Sequence, residues 1–201
     1  MTRLAALALL CLPGLASAQT FPALYDVAGV AANDVLNIRA EPTASAGIVG
    51  TFAPDATRIE VVRLAEGADW GLVNSGESAG WVSMAYLARL DGQAWGDMPA
   101  AISCFGTEPF WAFGVSADDT ARFPMPDGER AFQVTARVPG QSYPGDMAIL
   151  AESTGIRATA IVSAGSCNDG MSDREYGLKA GLLLEAGGPP ILYTGCCSLA
   201  D

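Results

Sequence analysis

The sequence predicts an all-β protein: a small N-terminal barrel followed by a disulfide-tied antiparallel β-barrel or sandwich. Three observations carry that expectation. Apolar residues recur at every second position in five separate runs, the period of a strand buried on one face. Turn-forming clusters such as Glu66-Gly67, Ser75-Gly76 and Gly187-Gly188-Pro189 punctuate those runs. Neither half of the chain carries a long 3.6-residue apolar stripe, so no substantial helix is expected.

In chain order, residues 35–39 place Leu36 and Ile38 on one face and Asn37 and Arg39 on the other. Residues 58–63 set Ile59 and Val61 against Glu60 and Val62. Residues 70–73 and 81–82 supply two further short strands. Residues 91–101, DGQAWGDMPAA, interrupt the pattern and read as a linker, with room for a short helix around Trp95. Beyond it the alternation resumes. Phe132, Val134, Ala136 and Val138 oppose Ala131, Gln133, Thr135 and Arg137. Ile156, Ala158, Ala160 and Val162 form a second inward set, and Tyr176, Leu178, Ala180, Leu182 and Leu184 a third. The expected turns are Pro126-Asp127-Gly128-Glu129 and Gly187-Gly188-Pro189. Six to eight antiparallel strands are expected here, since closure removes the exposed edges that invite aggregation.

The N-terminus reads as a secretory leader. Arg3 precedes an apolar run at residues 4–12, and Ala16-Ser17-Ala18 offers a small-x-small cleavage site. The run is too short to span a bilayer. Leu10 stands where a lipoprotein signal has a small residue, which speaks against a lipid anchor on Cys11. The expected organisation is a leader at 1–18, a first unit at 21–90, a linker at 91–101 and a second unit at 102–199. No membrane insertion is expected after cleavage, and the location is periplasmic or secreted.

Removing the leader takes away Arg3 and leaves ten basic against 22 acidic residues, a net charge of −12. A chain this acidic repels nucleic acid and anionic lipid. The chain contains no histidine, which excludes a Ser-His-Asp triad, a Cys-His pair and any zinc site needing imidazole. No metal or other cofactor is expected.

Cys104, Cys167, Cys196 and Cys197 remain after cleavage, an even number suited to disulfides in an oxidising compartment. A bridge between the neighbours Cys196 and Cys197 is sterically poor, and since neighbours on a strand point to opposite faces each would tie down a different side of the sheet. The expected pairs are Cys167 with Cys196 and Cys104 with Cys197; the swapped arrangement stands close beside it. No C-x-x-C spacing supports a zinc cluster.

Residues 36–42 read LNIRAEP and residues 80–87 read GWVSMAYL, with Trp70 between them. Together they resemble the bacterial SH3-like domain, over roughly residues 21–89. The resemblance implies a five- or six-stranded barrel that attaches to peptidoglycan, peptides or partner proteins without catalysis. It also implies that Asn37 and Arg39 support the loop preceding Pro42 and that Trp81 lies on the last strands. Trp70, Trp81 and Tyr86 are the aromatic candidates for ligand contact, although packing is the commoner role for such residues.

Further on, residues 106–111 (GTEPFW), residues 167–174 (CNDGMSDR) and Gly195-Cys196-Cys197 resemble a family of uncharacterised bacterial envelope proteins, a likeness that implies no particular chemistry. Read from the residues, Glu108, Asp169 and Asp173 can be a carboxylate set for glycoside hydrolysis, oxygen donors for calcium, or parts of a structural clasp. In the last reading Ser172, Asp173 and Arg174 bond local backbone, and the loop is held by Cys167 and bonded into the strand carrying Trp111. Turn-forming residue types favour the clasp. The DxDxDG calcium pattern is absent, and no second motif fixes a distance between two carboxylates. Trp111 beside Phe110 can line a sugar surface or fill a core.

The functional expectation is a monomeric, non-catalytic envelope protein that docks on peptidoglycan, a peptide or a periplasmic protein. Two alternatives accompany it: a cell-wall glycan or peptide hydrolase using these carboxylates, and an inhibitor of a basic lysozyme-type enzyme, which an acidic surface suits.

Overall fold

The computed structural model describes residues 21–93, 97–125, 128–143 and 145–199. The leader at 1–18, the short helix expected around Trp95 and the first half of the expected turn, Pro126-Asp127, therefore lie outside the described residues.

The N-terminal unit contains eight short strands rather than the five or six expected, arranged as two sheets. They are β1 (Ala23–Val27), β2 (Leu36–Arg39), β3 (Ile48–Phe52), β4 (Ile59–Val61), β5 (Arg63–Leu64), β6 (Trp70–Ser75), β7 (Ser78–Ser83) and β8 (Leu87–Arg89). One sheet has the order β4-β1-β8, the other β3-β2-β7-β6-β5. A single 3-10 turn, Met84–Tyr86, leads into β8. The inward positions follow the sequence pattern: Leu36, Ile38, Ile59, Val61, Val73 and Val82 share one core with Ala23 and Tyr25.

Glu60 departs from its expected solvent-facing position. It is 8% exposed, because the far face of β4 is covered by the C-terminal strand of the other unit. Val62, also on that side in the sequence pattern, is buried as well.

The C-terminal unit is a closed barrel of eight antiparallel strands, at the upper end of the expected range. Its strands are β9 (Ile102–Thr107), β10 (Phe110–Val115), β11 (Thr120–Met125), β12 (Gly128–Pro139), β13 (Met147–Ser153), β14 (Ile156–Cys167), β15 (Tyr176–Glu185) and β16 (Ile191–Ser198). Each strand pairs with the next, and β16 returns to β9. The interior is filled, not open: Phe113, Phe123, Phe132, Ile149, Val162, Leu178 and Leu182 belong to one buried cluster. Phe113 and Phe132 meet edge-on there, with ring centroids 6.1 Å apart.

One strand breaks the expected alternation. Between Val134 and Ala136 the β12–β13 register shifts, and the extra residue exchanges inward and outward positions from there on. Val138, expected inside, is exposed. Arg137 turns instead toward the barrel mouth, where it bonds Asp119 Oδ1, the Pro99 carbonyl and the Ser116 carbonyl at 2.8–2.9 Å.

The segment joining the units is held at both ends. Gln93 receives the Leu24 N–H at 2.7 Å and donates to the carbonyls of Leu24 and Leu90. Leu24, a residue of β1, packs into the barrel's core cluster.

Candidate functional site

The three distinctive segments of the C-terminal unit converge where the barrel closes. Closure rests on a short pairing of β9 with β16: Cys196 opposite Phe105, Cys197 opposite Cys104 and Ser198 opposite Ser103. Cys104 and Cys197 are bonded across that pairing, with Cα atoms 4.0 Å apart. Cys167 and Cys196 form the other bridge. Cys197 belongs to the barrel core while Cys196 lies outside that cluster, as neighbouring positions on a strand require.

GTEPFW forms the hairpin between β9 and β10. Trp111 sits opposite Gly106 and sends its indole N–H to the Thr194 carbonyl at 3.1 Å. A Cβ at residue 106 would lie 2.7 Å from that same carbonyl and against the indole, so glycine is what lets Trp111 reach across to β16. Trp111 is only 6% exposed and does not present its ring to a ligand. Glu108 is exposed at the hairpin tip beside Phe110, which is 75% exposed.

Residues 167–174 form a clasp. Asp169 accepts the backbone N–H groups of Met171 and Ser172, each at 2.9 Å, and the Ser172 hydroxyl at 2.8 Å. Asn168 accepts the Gly170 N–H and donates to the Arg174 carbonyl. The Thr107 hydroxyl donates to the Asp169 carbonyl at 2.8 Å. The clasp is thus pinned to β9, whereas the sequence suggested β10, the strand carrying Trp111. Partial burial works to raise the Asp169 carboxyl, but its three hydrogen bonds and the Arg174 charge outweigh that and hold it below its ordinary value. Burial pushes the Tyr176 phenol up, against the opposing charge of Arg174, whose guanidinium carbon lies 5.4 Å from the ring centroid.

The clasp also grips the N-terminal unit, which the sequence did not suggest. The Asp173 N–H donates to the Glu77 carbonyl at 2.9 Å, and Asp173 bridges to Ser78 in parallel fashion. Asn74 donates to the Glu175 carbonyl at 2.8 Å and accepts the Glu175 N–H at 3.0 Å. Glu60 accepts from the Ser198 hydroxyl and from the Leu199 N–H. Gly177 in β15 leaves the space that Pro22 fills: a Cβ there would lie 2.8 Å from the proline ring. An apolar cleft of about 190 Å³ opens at the same junction, between Phe21, Leu24, Leu90, Leu178 and Leu199. Its rim includes Gln93 and Asp97, on either side of residues 94–96, which are not among those described.

The aromatic candidates divide. Register places Trp70, Leu72, Asn74 and Trp81 on one face of the five-stranded sheet, the face that meets Glu175. Trp81 is partly exposed and lies beneath Arg63, whose guanidinium carbon is 4.9 Å from the ring centroid. Tyr86 lies apart in the 3-10 turn, 45% exposed, with its carbonyl accepting from Ala28. Arg39 donates to the Ala46 carbonyl at 2.7 Å, beyond Pro42 in the loop that follows β2. Among the described residues, no group of three or more Asp, Glu, Cys or His side chains is placed to hold a metal ion. No helix among them is long and apolar enough to cross a membrane.

The N-terminal unit is therefore a small two-sheet β unit, whose five-stranded sheet carries Arg39 on β2, Arg63 on β5 and Trp81 on β7 on one face. Residues 34–88 match the family model of the bacterial SH3 domain. Strand β1 precedes that stretch yet pairs with both β4 and β8, so the folded unit begins before it. No curated protein and no solved structure matches the chain.

Proposed function

We propose that this is a non-catalytic, exported envelope protein whose SH3 unit docks on peptidoglycan, with the C-terminal barrel as a platform that fixes the unit's orientation. The observation that carries this reading is the bacterial SH3 domain at residues 34–88, a class of module commonly used for attachment to wall material or peptides. Two cross-strand disulfides agree with life in an oxidising compartment, and the leader-like N-terminus supplies the route there. The three carboxylates weighed for hydrolysis do different work: Glu108 projects from a hairpin tip, Asp169 is occupied by its own loop and Asp173 joins the inter-unit contact through its backbone.

Sedimentation with purified peptidoglycan tests the reading. The full mature chain should pellet with sacculi above the level of an acidic control protein. Recovery in the supernatant at every sacculus concentration would remove peptidoglycan as the partner.

A further inference from the structure

Across the five-stranded sheet, register aligns Arg63 with Leu72, Leu72 with Trp81 and Trp81 with Arg39. Register partners share a face, so Arg63, Leu72, Trp81 and Arg39 stand in one row on the same face. Only ten basic residues remain in the chain after removal of the leader, against 22 acidic ones. Two of them in the row of one tryptophan concentrate scarce positive charge on this face. Arg39 is steadied by the Ala46 carbonyl. Arg63 lies over the indole at 4.9 Å, leaving its guanidinium edge available for an anion.

That edge already holds one. Both Nε and Nη2 of Arg63 point to Glu175 Oε2, at 3.4 and 3.2 Å. Glu175 comes from the other unit, 112 residues further along the chain. Its backbone is fastened by the two hydrogen bonds to Asn74, while its side chain reaches Arg63 with both partners well exposed, at 48% and 39%. Exposed pairs of this kind are weak, and exchanging one carboxylate for another leaves the arginine satisfied throughout.

We propose that Arg63, Trp81 and Arg39 form a carboxylate-binding site for the free carboxyl groups of cell-wall peptides, and that Glu175 is a built-in competitor for it. The inference rests on the docking function proposed above and names the chemical group recognised. The wall peptide's carboxylate replaces Glu175 on Arg63, its adjoining apolar part lies against the indole, and the Glu175 side chain swings out while its backbone stays anchored. The C-terminal barrel thereby sets the affinity of the SH3 unit as well as its orientation.

The test is sedimentation of the full mature chain with purified sacculi, native or with their carboxyl groups amidated. Glu175→Gln keeps the backbone anchor and should bind native sacculi about two- to fivefold more tightly, the effect of removing one exposed ion pair. Arg63→Gln should weaken binding, and amidated sacculi should bind poorly to every variant. Asp55→Asn, the same charge change made on the SH3 unit away from this site, should behave as the unmodified protein, which separates competition from a general loss of negative charge. Melting temperatures confirm that the variants fold. If the unmodified protein binds and the Glu175 and Arg63 variants match it, or if Glu175→Gln binds less tightly, this site is wrong while wall docking stands. If the unmodified protein and all variants stay in the supernatant, both readings fall together.

Discussion

Asn74 and Glu175 grip each other as two strands would. The Asn74 amide donates to the Glu175 carbonyl at 2.8 Å and accepts the Glu175 N–H at 3.0 Å, so one side chain satisfies both backbone polar groups of a residue 101 positions away. Together with the Asp173 to Glu77 bond and the pair of bonds into Glu60, this turns the seam between SH3 unit and barrel into a built interface. Such polar seams fix orientation because each partner left unpaired carries a desolvation cost.

Asn74→Ala removes both bonds and leaves a partly buried peptide group without its partners. The expected loss is about 1–3 kcal/mol in denaturant unfolding. Amide exchange should also quicken at Glu175, where the N–H loses its acceptor. A variant as stable as the parent, with unchanged exchange at that position, would mean that the two units are aligned by other contacts.

At the barrel's closure, Gly106 and Trp111 act as one device. Gly106→Ala places a methyl group against the indole and 2.7 Å from the Thr194 carbonyl, so the tryptophan must leave its acceptor. The overpacking should cost about 1–3 kcal/mol. Trp111→Phe removes only the indole donor and some ring area, for about 1 kcal/mol from the lost hydrogen bond. In the double variant the smaller ring should relieve the methyl group, and the combined loss should fall below the sum of the two. Additive losses in a thermal unfolding series would show that the two residues are not coupled.

What the sequence disclosed follows the range of the forces involved. The inward sets of β14 and β15, Ala158 to Val162 and Tyr176 to Leu184, were legible because each strand's neighbours leave the two-residue period unbroken. The different partners of Cys196 and Cys197 followed from the same period. Arg137 and Val138 were misplaced because a bulge at Thr135 leaves no mark in the composition of β12, yet reverses every position after it. Glu60 looked solvent-facing because its acceptor role depends on Ser198 and Leu199, 138 and 139 residues away. The candidate site shows the same divide. Trp81 stood out from its local motif, but its relation to Arg63 needs strand register and its relation to Glu175 needs the assembled seam. The clasp was readable as a set of turn-formers, while its second task, gripping the β6–β7 hairpin, was not.

The two disulfides differ in the length of chain they constrain, 93 residues for Cys104–Cys197 and 29 for Cys167–Cys196. Loop entropy in the unfolded chain then favours the longer link, about 4.7 against about 3.6 kcal/mol. Cys104 also lies in the buried core, so losing that bridge disturbs packing as well. Cys104→Ala/Cys197→Ala should lower the denaturant midpoint more than Cys167→Ala/Cys196→Ala. The reverse order would indicate that the clasp, rather than barrel closure, limits stability.

Asp169 gives the clasp a pH dependence whose sign is fixed by its hydrogen bonds. Its carboxyl titrates below its ordinary value of 3.8, so the folded state prefers the ionised form more strongly than the unfolded chain does. The contribution is complete above the unfolded value and declines as pH falls through the depressed folded value, which puts the window below about pH 4. Protonation takes acceptor strength away from the N–H groups of Met171 and Ser172, and the loop then loosens its hold on Thr107 above and Glu77 beside it. Amide exchange at Met171 and Ser172, followed by NMR between pH 2 and 5 and corrected for the intrinsic pH dependence, should accelerate on the acid side. In Asp169→Asn the side-chain carbonyl still accepts but no longer titrates, so the step should vanish. A step of equal size in that variant would assign the transition to another carboxylate, and the clasp would then owe nothing to the charge of Asp169.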